Sequence, residues 1–169
     1  KASWGVADTS SMWVGRVVLL PYASIASGFV TAFDANTITV RSFNPYYTGD
    51  MHVALTQTCL AIWTNMTAMQ VPVGFAAGVT SVTVANAPAQ VQNGMALCAI
   101  SDFATVNPGA DNNTKLYNSG FAQRHTYGAT LTKAGNVLTV SAPGMHYACP
   151  NGGYVIAVPI VDTPNLISN

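Results

Sequence analysis

Asn136-Val137-Leu138-Thr139-Val140 leads through a Pro- and Gly-rich connection (residues 141–153) into Tyr154-Val155-Ile156-Ala157-Val158-Pro159-Ile160, and this stretch decides the fold. A short run with β-branched residues, a connection full of turn formers and a second apolar run make a strand–loop–strand unit. The plan occurs twice more upstream. Thr37-Ile38-Thr39-Val40 leads through Asn44-Pro45 and Gly49 into His52-Val53-Ala54-Leu55. Ser81-Val82-Thr83-Val84 leads through Ala87-Pro88 and Asn93-Gly94 into Met95-Ala96-Leu97-Cys98-Ala99-Ile100. Three such units predict an all-β chain.

Composition points the same way. A chain of 169 residues is most simply one domain. Only 7% of its residues are charged, against about 25% in an ordinary soluble domain. All the acidic residues are Asp, and Lys occurs only as Lys1, Lys115 and Lys133. The best formers of exposed helices are therefore scarce, while Val and Thr favour strands. With a formal net charge of zero, nothing attracts a phosphate backbone, so nucleic acid is not an expected partner. Neutrality also removes the self-repulsion that keeps proteins apart. With hydrophobic residues at 50%, part of the apolar surface is expected to be covered by copies of the same chain. No membrane span is expected, because Arg16 and Pro21 interrupt the most apolar N-terminal stretch. Opening on Lys1 rather than Met suggests a processed N-terminus.

In chain order, residues 1–11 (KASWGVADTSS) read as a flexible N-terminal arm and residues 12–169 as a single domain. Residues 12–20 (MWVGRVVLL) form the first expected strand. Its run Val17-Val18-Leu19-Leu20 does not alternate, which predicts burial on both faces. Such a strand either completes its own sheet, the usual outcome, or is donated to a neighbour's sheet. In the second case Trp13, Val14, Val17, Val18, Leu19 and Leu20 form the interface. Residues 28–33 and 37–42 predict a hairpin around Asp34-Ala35-Asn36. Residues 52–63 hold two strands or one bent strand, and Pro72 marks an edge or a sheet corner. The low-hydrophobicity segment 102–120 has the length of a functional or interaction loop. About ten short strands in all point to a single β-sandwich or jelly-roll-like domain.

Groupings that carry chemistry are sparse. Met145-His146-Tyr147-Ala148-Cys149 holds the ligand types that copper favours. With His125 it gives the candidate metal set His125, His146 and Cys149. Local spacing supplies only two of the ligands such a site needs, so no metal and no cofactor are expected. There is no nucleophile elbow, zinc-protease helix motif, phosphate-cradling loop or paired-cysteine motif. Acid–base chemistry would fall on scattered Asp and His residues, and an enzyme is not expected. Asn65-Met66-Thr67 and Asn112-Asn113-Thr114 match the N-glycosylation acceptor pattern at Asn65 and Asn112. Tyr46 and Tyr47 offer aromatic faces for a sugar or for an intersubunit contact. Cys59, Cys98 and Cys149 permit at most one internal disulfide, and Cys98 is expected as a buried thiol within an apolar strand.

Gly135-Asn136-Val137-Leu138-Thr139-Val140-Ser141-Ala142-Pro143, followed by Gly153-Tyr154, resembles the end of the immunoglobulin-like C-terminal domain of galactose-oxidase-type enzymes. The resemblance is local and implies a sandwich. That family's radical copper site is built mostly from another domain, so no catalytic residue carries over. The expectation is a structural, self-assembling subunit of a repeating extracellular assembly: a virion capsid or decoration protein, or a cell-surface filament or pilus. Its partners would be copies of itself and other shell or filament proteins. The alternative is a carbohydrate-binding or adhesive β-sandwich module using Tyr46, Tyr47 and segment 102–120.

Overall fold

The computed structural model describes residues 9, 12–19, 27–42, 50–54, 62–100, 131–145 and 148–159. Among them ten strands and no α-helix occur, so the described part of the chain is all-β. The strands are β1 (Arg16–Leu19), β2 (Ser27–Phe33), β3 (Thr37–Ser42), β4 (Asp50–Ala54) and β5 (Ile62–Gln70). They continue with β6 (Ser81–Thr83), β7 (Ala96–Ile100), β8 (Leu131–Ala134), β9 (Val137–Val140) and β10 (Tyr154–Val158). Two antiparallel sheets result, a seven-stranded one in the order β4-β3-β2-β1-β5-β10-β7 and a three-stranded one in the order β6-β9-β8.

The predicted hairpin is β2–β3. Asp34 fixes its turn, because its Oδ1 accepts the backbone N–H groups of Asn36 and Thr37, each at 2.8 Å. This is the usual way an Asp closes a turn on its own backbone. Residues 52–63 resolve into two strands, with β4 ending at Ala54 and β5 beginning at Ile62. Pro72 lies in the bend just past β5.

The first strand differs from its expected bounds. It starts at Arg16 rather than Met12, because residues 13–16 form a turn closed by Arg16 N–H to Trp13 O at 3.2 Å. Gly15 makes that turn possible at φ 94°. Its N–H bonds Val30 O and its carbonyl accepts from Ala68 N–H, both at 2.7 Å, so it is stitched to β2 and β5. A Cβ here would sit 2.4 Å from Ala68 O. From Arg16 on, the strand behaves as its composition predicts: Val17 and Val18 are both fully buried.

The two later strand–loop–strand units do not make paired neighbours. β3 and β4 pair directly, but β6 and β7 lie in different sheets, as do β9 and β10. Their connections carry the chain across the core. One buried cluster gathers Met69, Val155 and Leu97 from the large sheet with Val82, Leu138 and Val140 from the small one. The small sheet alternates cleanly, since β9 reads exposed–buried–exposed–buried and turns its other face to water. The centre of the large sheet is buried on both faces. Ile156 packs with Val17, Phe29 and Ala68, on the side opposite to Val155 and Ala157.

Leu138 is fully buried on the central strand of the small sheet. Leu138→Ala is expected to lower unfolding free energy by about 2–5 kcal/mol in urea titrations. Thr139→Ala, on the exposed side of the same strand, should stay within about 0.5 kcal/mol of the parent. Gly15→Ala should cost more than the roughly 1–3 kcal/mol of backbone strain alone, because its Cβ would also collide with Ala68 O.

Candidate functional site

β1 is short. It has 4 residues, while its neighbours β2 and β5 have 7 and 9. Pairing runs Val17↔Phe29 on one side and Arg16↔Thr67 on the other. Gly15 still bonds to both neighbours; beyond it they continue without the β1 segment between them, and a cleft of about 250 Å³ opens there. Val30 and Thr31 line one wall and Ala68 and Gln70 the other. Val14 and Gly15 stand at the β1 end, and Asn86 approaches from the connection after β6. That connection is anchored by Ala85 N–H to Gln70 O at 2.9 Å.

Arg41 and Tyr154 bring polar chemistry to this cleft. Arg41 Nε donates to Asp50 Oδ1 at 2.9 Å, and Nη1 donates to the Tyr154 hydroxyl at 3.0 Å. Thr31 Oγ1 donates to the other Asp50 oxygen at 3.0 Å. The Tyr154 ring lies 4.9 Å from that of Phe29, tilted by 46°. The Asp50 hydrogen bond raises the Arg41 pKa; burial opposes this, and Tyr154 adds to it. With the Arg41 side chain 44% exposed, the ion pair contributes at most about 1 kcal/mol to stability. Its role is positional, because it fixes the guanidinium plane.

Arg16 is placed differently. It is buried, and its Nε donates to Thr64 O at 2.7 Å while Nη2 reaches Asn65 Oδ1 at 3.4 Å. The Trp13 ring stacks over the guanidinium at 4.3 Å, and Trp13 Nε1 donates to Thr67 Oγ1 at 3.0 Å. Burial lowers the Arg16 pKa. Trp13 is thus half-buried as a lid on Arg16, whereas Val14 is 48% exposed. The backbone of Leu19 pairs with Ser27 and Ile62. Leu20 lies outside the described residues.

The other candidates fall as follows. Asn65 is exposed on β5, but Thr67 of its acceptor pattern is 1% exposed. Only an unfolded or nascent chain would present that pattern. Cys149 is buried beside Met145 in the main core, and its thiol donates to Tyr154 O at 3.8 Å. Cys98 is also a thiol, half-buried rather than enclosed. Tyr46, Tyr47, Cys59, Asn112, His125 and His146 lie outside the described residues, as does segment 102–120. Among the described residues no three His, Cys, Asp or Glu side chains are grouped for a metal. No helix among them is long and apolar enough to cross a membrane. The Arg41–Tyr154 cluster was not legible in the sequence, since the partners stand 113 positions apart. Comparison with protein-family models, curated proteins and solved structures returns no match.

Burial pushes the Cys98 thiol up to about 12 and the Cys149 thiol up to about 11. An unfolded chain ionises these groups from about pH 8.5, while the folded chain still holds the protons. Stability is therefore full below that pH and falls as pH rises toward the folded values. Thermal midpoints should drop between about pH 8 and about pH 10, and the drop should be smaller in Cys98→Ala. Equal drops in the two proteins would show that Cys98 is not the cause.

Proposed function

We propose that the chain is a structural subunit that assembles with copies of itself into an extended extracellular structure. A virion shell, a decoration layer or a cell-surface filament fits this description. The observation that carries the reading is the pair of outer strands of the large sheet. Among the described residues, nothing pairs with the outer side of β4 or of β7. β7 reads Ala-Leu-Cys-Ala-Ile, with none of the charges or prolines that blunt a sheet edge. The one charge of β4, Asp50, is engaged by Arg41.

The two edges differ in sequence, so joining β4 of one copy to β7 of the next is a heterologous contact. Such contacts propagate into open filaments unless their rotation closes a ring. A net charge of zero supports the reading, because copies approach without repulsion. Backbone hydrogen bonds along an edge supply the attraction. The same reading takes the small sheet as the second layer of a β-sandwich or jelly-roll-like body. It also allows exchange of β1, since a copy's strand would enter the place between β2 and β5 with the same registers, as in domain swapping.

Negative-stain microscopy beside light scattering of the full chain tests this. Extended filaments or shells are expected, and a monodisperse monomer at every concentration would overturn the proposal. His52 is exposed on β4, so His52→Lys puts a charge on that edge without disturbing the core. It should raise the concentration needed for assembly by about tenfold, the effect of roughly 1.4 kcal/mol per contact.

A further inference from the structure

We propose that the cleft beyond the start of β1 is a binding site for a neutral monosaccharide unit, such as the terminal sugar of a glycan. The inference stands apart from assembly, because the cleft lies within one chain and needs neither outer strand.

Size comes first. At about 250 Å³ the cleft is just below the roughly 300–1,000 Å³ of pockets that take drug-sized ligands. It suits one small ring.

The polar groups then select the class. Arg41 commits Nε to Asp50 and Nη1 to Tyr154. Its Nη2 donors make no bond among the described residues. The Tyr154 hydroxyl accepts from Arg41, so its own proton remains to be donated. Gln70 and Asn86 line the cleft as exposed residues, and neither side-chain amide is bonded among the described residues. Each amide offers both a donor and an acceptor. A ligand that satisfies this mixture must itself donate and accept at several points, as ring hydroxyls do.

Charge narrows the choice further. Arg41 is already paired with Asp50, so an anion gains little from it, and a cation finds no uncommitted carboxylate in the cleft. Val14, Phe29 and Ala68 supply apolar surface in the same space, where the C–H face of a sugar ring can lie. Arg41 and Tyr154 are held in place before any ligand arrives, which reduces the ordering cost of binding.

The test is saturation-transfer NMR on the full chain with the methyl glycosides of glucose, galactose, mannose and N-acetylglucosamine. At least one glycoside should receive saturation. Asn86→Ala, on an exposed loop, and Tyr154→Phe, which keeps the ring against Phe29, should each weaken its binding by about tenfold, as expected for one lost hydrogen bond. Val137→Ser, on the far sheet, should bind like the parent. The proposal is overturned if no glycoside receives saturation, or if both cleft variants bind like the parent. Displacement of the glycoside by sodium acetate would overturn it as well, by making the cleft an anion site.

Discussion

Val155 and Ala157 are buried with Leu138 and Val140 on one side of β10, while Ile156 is buried with Ala68 and Phe29 on the other. Both edges of the same strand are hydrogen-bonded, to β5 and to β7. A strand enclosed in this way satisfies its backbone and buries every central side chain, at about 1.5–3 kcal/mol for each large one. Among the described residues, β7 is attached to the large sheet only through β10. Tyr154, at the start of the strand, is thereby placed where its hydroxyl meets Arg41. The polar end of the cleft is thus a consequence of the core.

Charge is used sparingly, and each described arginine has a distinct setting. Arg41 keeps a carboxylate and a phenol at hand in a half-open place. Arg16 is enclosed instead by a backbone carbonyl, an amide oxygen and an indole face. A guanidinium tolerates this because it is planar, weakly hydrated and able to stack. The first arrangement leaves donors facing a cleft, and the second locks the turn that leads into β1. In a chain with 7% charged residues, most of the surface has no such anchors.

Much of the strand inventory was legible because its causes are local. Asp34 announces the β2–β3 turn by its own chemistry, and Val17-Val18 declare two-sided burial by failing to alternate. The sheet to which a strand belongs was not legible. A connection as long as that between β9 and β10 reaches a neighbour in the same sheet or crosses the core equally well, and composition does not distinguish the two. The start of β1 was hidden for a related reason: Gly15 reads as a tolerated interruption until Ala68 O is seen where its Cβ would be. The cleft was invisible. It arises from a length difference between strands that sequence places far apart, and its polar groups come from β3, β5, β10 and the connection after β6.

The position of β10 also has a consequence for biosynthesis. β1 is made before β5, which flanks it in the large sheet, and the other side of β5 is completed only by β10, the last of the described strands. Contacts so distant in sequence close slowly, since loop entropy must be overcome before they reward the chain. During synthesis β5 and β7 therefore each wait with an edge unpaired until β10 has been made. Partly made chains with bare edges are the species most prone to mispairing, so the ribosome-bound stage is where this fold is most vulnerable.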